Sequence, residues 1–430
     1  MKKRWVRVQR GPWSAVCALT ACLLGGIAAV PVRAENGEAI TLDEARKLAL
    51  AGNLDLAERA LQVAAADGVA RQARAWPNPE VGAEIEDFGG DLPRWGESQT
   101  TWSVSQRIEL PMARWARIAA ARGDRQVATL DLERAKLDLL ADVDRRFATL
   151  LAEQSRLEVA RENERTADTL LAAVSALVNS GEVSPIEEDR ARADRSRASI
   201  GARRAEASAA RARVELASLW GRPSSSYRAE GTLEFDSDLP VDAAIDSLDV
   251  DAPDLARWDA AVARSEADLR TQSWSRLPDI TVGGGSRRLN GPGEQTWTAQ
   301  ASLDFSLWDR NGGAISEATA RVAQARVARQ AGRLRIMTER QIARDALVGS
   351  LSVVRTYREL TRPEVRRAYD AVSEGYRRGK FPLIDLLDAR RSLAETELGY
   401  IDALLELGSA RIDLERLLSK ASNATGGNER

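Results

Sequence analysis

Two aspartates carry the most suggestive chemistry in this chain. Asp385 and Asp388 stand three residues apart just after the turn Gly379-Lys380-Phe381-Pro382, so on a helix they share one face. Carboxylates placed side by side favour cations and resist being crowded together, because like charges repel. The bland reading is a solvated face near a helix N-terminus, where acidic residues are favoured anyway. Other chemistry is scarce. The sequence contains no histidine, which removes a Ser-His-Asp triad, a Cys-His pair and any histidine-ligated metal site. Its cysteines, Cys17 and Cys22, both fall near the N-terminus, so the body from Glu35 has no disulfide and no thiol chemistry. With 62 Lys+Arg against 64 Asp+Glu the net charge is −2, too balanced for a nucleic-acid binder held by phosphate neutralisation. Paired acids can cleave glycosides. Here no glycine-rich pocket loop or metal cluster accompanies them, and the residues imply no cofactor.

The elements that must position these aspartates come in two copies. Asp55-Leu56-Ala57 recurs as Asp254-Leu255-Ala256, Pro79-Glu80-Val81 as Pro278-Asp279-Ile280, and Gly181 and Ile186 as Gly379 and Ile384. A period near 200 residues is too long for a solenoid and reads as a duplicated half-protein. The first repeat spans residues 35–222: a helix opened by the capping box Thr41-Leu-Asp-Glu44 and running to about Ala75, a β-hairpin over 79–110, a long helix over 113–180 and a return helix over 185–220. A connector over 223–251 leads to the second repeat, 252–418, with a hairpin over 278–308, a long helix over 314–378 and a return helix over 383–418; a polar tail, 419–430, follows.

In the hairpins the period is two. Trp102, Val104, Ile108 and Leu110 oppose Thr101, Ser103, Ser105, Arg107 and Glu109; Trp297, Ala299, Ala301, Leu303, Phe305 and Leu307 oppose a polar set. By this parity Glu84, Glu86, Arg287 and Arg288 should face a lumen or its outer mouth. The hairpin loops fall at Gly89–Pro93 and Asn290–Gly293. In the long helices apolar residues recur at sevens, as in Leu130/Leu137, Leu140/Phe147 and Leu150/Leu157, with alanine filling much of the rest. Each such helix would be on the order of 100 Å long, and Gly181 and Gly379 stop them as C-cap glycines do.

Four strands with one apolar face cannot close a barrel alone, and their open edges are a liability. Three chains would supply a twelve-stranded barrel, with long helices extending below it. Trp76, Trp102, Trp274, Trp297 and Trp308 cluster at strand ends and flanks, as an interfacial aromatic belt against membrane lipid would. The N-terminus fits export: a basic stretch from Lys2 to Arg10, an apolar core from Ser14 to Val30, and Val32-Arg33-Ala34 as the cleavage site of a signal peptide over 1–34. Leu19-Thr20-Ala21-Cys22 offers a second route, lipidation at Cys22.

Trp76-Pro77-Asn78-Pro79-Glu80, Glu84-Ile85-Glu86-Asp87-Phe88-Gly89, Gln106-Arg107-Ile108-Glu109-Leu110 and Arg114 to Arg117, in this order, resemble the TolC family of outer-membrane efflux channels, and within it the CzcC-type branch that serves heavy-metal exporters of the resistance-nodulation-division (RND) class. The resemblance implies a mainly α fold with a small β part: two tandem repeats with long coiled-coil hairpins and four transmembrane strands per chain. It implies a homotrimer with a twelve-stranded barrel continuous with a helical periplasmic tunnel. It also implies a periplasmic membrane-fusion adaptor and an inner-membrane RND pump as partners, and a passive duct for divalent heavy-metal cations rather than an enzyme. Tyr376, Asp385 and Asp388 match the family's periplasmic entrance, Tyr376 as a gating tyrosine. Gly181, Glu182, Val183 and Ser184, and Gly379, Lys380, Phe381 and Pro382, form the tips that would touch the adaptor. The chain departs from the family at Phe381, where some members carry an arginine that locks the closed state. The rival readings are a TolC-like factor for drug efflux or secretion, a periplasmic coiled-coil scaffold, and an exported carboxylate hydrolase.

Overall fold

The computed structural model describes residues 39–88, 98–222, 227–233, 253–303 and 308–418. The signal segment with Cys22, the Gly89–Pro93 loop, Phe305 and Leu307, most of the connector and the polar tail lie outside these residues. The elements are β1 (Ala39–Ile40), α1 (Leu42–Gly52), α2 (Leu54–Gln72), β2 (Glu80–Glu86), β3 (Gln99–Ile108), α3 (Pro111–Asn179), α4 (Pro185–Ser218) and β4 (Arg228–Ala229). They continue with α5 (Pro253–Trp274), β5 (Ile280–Leu289), β6 (Glu294–Leu303), α6 (Gly312–Thr356), a π-helical turn (Tyr357–Thr361), α7 (Arg362–Arg377) and α8 (Leu383–Leu418).

The capping box forms as the sequence requires: the Glu44 backbone N–H donates to Thr41 Oγ1, and the Thr41 N–H donates to Glu44 Oε2 at 2.9 Å. The helix behind it does not run unbroken to Ala75. It stops at Gly52, and Asn53 caps a second helix by accepting the Leu56 N–H at 2.8 Å while its amide donates to Leu219 O at 2.9 Å. A residue that satisfies a helix start and a neighbouring helix end at once makes a bend cheaper than a straight run. Ile40, Ala45, Ala49, Val143, Phe147, Leu150, Leu216 and Trp220 bury the core of this region, beside the parallel pair β1–β4.

The second long helix is interrupted as well. Between α6 and α7 the Arg362 N–H reaches back to Tyr357 O, five residues away, and the turn widens into a π-helix. Pro363 is the cause. It has no N–H to donate, its ring presses on the carbonyl four residues earlier, and one wider turn relieves that clash. Arg362 then clamps the turn: its Nη2 donates to Glu397 Oε2 at 2.8 Å and its guanidinium lies 4.2 Å from the Tyr400 ring centre.

The two hairpins meet in one antiparallel sheet, in the order β2-β3-β5-β6. The register aligns Ala83, Trp102, Ser286 and Trp297 in one row and Val81, Val104, Gly284 and Ala299 in the next. Strand β3 ends at Ile108, so Leu110, expected as a strand residue, is the N-cap of α3. No helix among the described residues is long and apolar enough to cross a membrane.

Candidate functional site

Three features concern function: the sheet, its junction with the helices, and the tips at the far end. On the sheet the register separates two faces. Val81, Ile85, Trp102, Val104, Ile108, Ile280, Val282, Trp297 and Leu303 project from one side, all exposed. Glu84, Glu86 and Arg287 share the other side, where Arg287 pairs with Glu86 at 3.3 Å and donates to Thr101 Oγ1 at 3.0 Å. Arg288, expected with Arg287, falls on the apolar side instead, because neighbouring strand residues alternate faces. Both edges, β2 and β6, are unpaired in the single chain among the described residues.

The tryptophans mark both ends of the sheet. Trp102 and Trp297 share a row near the hairpin loops, 61% and 85% exposed, while Trp76 and Trp308 flank the helical end at 60% and 94%. Trp274 is half-buried at that same end. From Trp102 to Leu110, the N-cap of α3, the chain advances about 26 Å, which at the ~40° tilt of a barrel strand is about 20 Å across the membrane, of the same order as the ~25 Å apolar band of an outer-membrane barrel. Trp115, 61% exposed at the start of α3, belongs to the helical-end group. Sequence reading missed it because it sits in a helix.

At the tips both long helices end in the same turn. Gly181 and Gly379 adopt φ +78° and +72°. The Glu182 N–H donates to Leu177 O at 2.9 Å, and the Lys380 N–H to Gly375 O at 2.8 Å. This is the αL stop that glycine alone makes without strain. The expected adaptor-contacting residues are exposed except Val183, which is half-buried. Phe381 folds back on Gly375, where an added Cβ would stand 2.1 Å from the ring.

The second return helix is anchored by a leucine stripe. Leu383, Leu386 and Leu387 pack against Val174 and Ala191 of the first repeat, and Arg390 extends the same stripe one turn on, buried against Asp194 of α4. This i, i+3, i+4, i+7 burial turns Asp385 and Asp388 to solvent on one exposed flank. In the first repeat the equivalent of Asp385 is Glu187, but the equivalent of Asp388 is Arg190, and the two pair at 3.0 Å. Only the second tip keeps a doubled acidic face; Arg391 reaches Asp388 from 3.9 Å. Tyr376 lies half-buried against the leucine cluster. Burial pushes its hydroxyl pKa up, and the Glu187 carboxylate adds to the shift. The tip thus brings Tyr376 close to the first repeat while Asp385 and Asp388 stand free of it. The Arg390–Asp194 contact was missed, although a charged residue on a leucine stripe is its visible signal.

The pattern of the outer membrane efflux protein family matches residues 45–222 and 244–420. The chain belongs to that family. The cobalt-zinc-cadmium resistance protein CzcC of Cupriavidus metallidurans is 28% identical over 397 residues, covering 92% of this chain and 94% of CzcC. The nickel and cobalt resistance protein CnrC of the same organism is 28% identical, covering 66% of this chain and 68% of CnrC. Among solved structures the CmeC outer membrane channel of Campylobacter jejuni superposes with a TM-score of 0.75 at 16% identity, over 89% of this chain and 88% of CmeC. The mainly helical fold with a small sheet is therefore the TolC-like fold that the motifs implied, and the protein is an outer-membrane efflux component extending into the periplasm.

Proposed function

We propose that three copies of this chain close a twelve-stranded barrel and form the passive exit duct of an RND-type efflux system for divalent heavy-metal cations. The observation that carries the duct is the sheet: apolar on one face, open at both edges, and continuous with α3, which at 69 residues is about 100 Å long. The cargo class comes from CzcC and CnrC, whose names state metal resistance. The four belt tryptophans at the sheet's ends and half-buried Trp274 sit at the lipid boundary. The tips at Gly181–Ser184 and Gly379–Pro382 receive the periplasmic adaptor, which joins the duct to the inner-membrane pump. Asp385 and Asp388 of three chains set six carboxylates around the entrance, with Tyr376 beside them as part of the gate.

The test is the double variant Asp385→Asn/Asp388→Asn in planar bilayers. Neighbouring carboxylates about 4 Å apart repel by about 1–4 kcal/mol depending on effective dielectric, so removing six charges should lower cation selectivity and weaken block by trivalent cations. An unchanged reversal potential and unchanged trivalent block would return the pair to a solvated helix face. Growth of a deletion strain across cobalt, zinc, cadmium, nickel and drug gradients decides the cargo: sensitivity to drugs but not metals would refute the metal reading.

A further inference from the structure

The segments that join strands to helices, residues 74–79, 107–117, 274–279 and 308–312, meet at one level, because each adjoins the same end of the sheet. Together they hold six arginines and three carboxylates, and exposed Glu80, the first residue of β2, adds a fourth carboxylate at this end. Arg117 is tied to Glu109 at 2.6 Å, Arg107 faces Asp279 at 3.9 Å, and Asp309 accepts the Asn311 N–H at 3.0 Å. Arg74, Arg114, Arg276 and Arg310 are left without a carboxylate partner among the described residues. Arg114 lies flat over Trp76, 4.1 Å from the ring centre, and donates to Arg74 O at 2.5 Å. The other three side chains are exposed, Arg74 and Arg310 two residues from Trp76 and Trp308, and Arg276 two residues from half-buried Trp274. The opposite end of the sheet has the reverse balance: Glu84, Glu86, Asp87 and Glu294 outnumber Arg287 and Arg288 among the described residues.

We propose that this junction is a collar for anionic phospholipid headgroups, with Arg74, Arg276 and Arg310 each taking a phosphate at the periplasmic-side boundary of the membrane. The inference rests on the barrel reading above. Continuity with the apolar face puts the collar at headgroup depth, where indole rings settle and guanidinium forks match phosphate oxygens. A zwitterionic headgroup carries its own ammonium against the phosphate and gains less from an arginine. One arginine near an anionic surface corresponds to about a fivefold preference per site.

The experiment uses the full chain reconstituted in phosphatidylcholine vesicles containing either brominated phosphatidylglycerol or brominated phosphatidylcholine, with quenching of tryptophan fluorescence as the readout. Wild type should prefer phosphatidylglycerol about fivefold, and about 0.5 M salt should erase most of that by screening. In R74Q/R276Q/R310Q the preference should fall to near unity while quenching by brominated phosphatidylcholine persists, which shows that the variant is inserted. R74K/R276K/R310K should keep most of the preference. Equal quenching of wild type by the two lipids, or an undiminished preference in the glutamine variant, would overturn the collar alone. Absence of quenching by either lipid would overturn the collar together with the barrel reading.

Discussion

Replacing Asp194 by Asn should loosen the second tip from more than one turn away, through Arg390. The Arg390 side chain is 7% exposed and Asp194 14%, and the Nε and Nη1 atoms of Arg390 have no hydrogen-bond partner among the described residues. Burial pushes the guanidinium's pKa down, yet an arginine stays protonated at any accessible pH. Losing the carboxylate therefore strands a charge in the interior. Breaking a buried pair in this way costs about 3–5 kcal/mol. Asn keeps a neutral acceptor, so about 2–3 kcal/mol is the better expectation. At 1.36 kcal/mol per tenfold change, that is about a 30- to 150-fold increase in local opening. Hydrogen exchange of the amides at the start of α8, around Leu386 to Ala394, reads that opening directly. The double variant Asp194→Leu/Arg390→Met should restore slow exchange, because two apolar side chains of similar size leave no uncompensated charge. Acceleration below about threefold in Asp194→Asn, or a double variant no slower than the single one, would refute the account.

Two further outcomes follow from the tips. Gly375→Ala should displace Phe381, since the new Cβ would sit 2.1 Å from its ring, whereas Gly181→Ala meets open space and pays only for φ +78°, about 1–2 kcal/mol; limited proteolysis of the second tip should accelerate in the former and not in the latter. The raised pKa of Tyr376 means the fold favours its neutral hydroxyl, so that contribution is complete below the ordinary tyrosine value of 10.0 and is lost as pH climbs through the higher folded value. The absorbance titration at alkaline pH, compared with Tyr376→Phe, should show one tyrosine ionising late, and an ordinary titration would refute the burial.

What the sequence disclosed followed from how local the cause was. The strands were legible because a period of two is written in consecutive residues, Trp297 to Leu303 above all, and Gly181 and Gly379 announced their turns because only glycine takes that φ freely. The break at Asn53 was hidden, since its amide answers to Leu219, far along the chain. Pro363 was visible as a breaker, but the choice between a kink and a wider turn depends on what steadies it, here Glu397 and Tyr400 on α8. Arg390 stood out on its leucine stripe, but its partner was hidden for the same reason, 196 residues away. Arg288 was misassigned through a rule that was available, because two adjacent strand residues cannot share a face.

The two repeats also show that a shared plan does not fix a shared role. Leu177 and Val183 in the first tip correspond to Gly375 and Phe381 in the second, a large-small pair exchanged for a small-large one under an identical glycine turn. One turn further on, Glu188 and Asp189 stand where Leu386 and Leu387 are buried, and Arg190 stands where Asp388 is exposed. The first return helix therefore mixes acids and arginines near its start, where the Ser175–Glu188 hydrogen bond at 2.9 Å holds it across its own hairpin. The second is held by leucines against its neighbour, and that anchoring is what frees its carboxylates. An acidic ring built on a helix that could rotate would relieve its repulsion by turning the charges away. Burial of Leu383, Leu386 and Leu387 removes that escape, so the second return helix, and not the first, is fixed with its like charges turned outward.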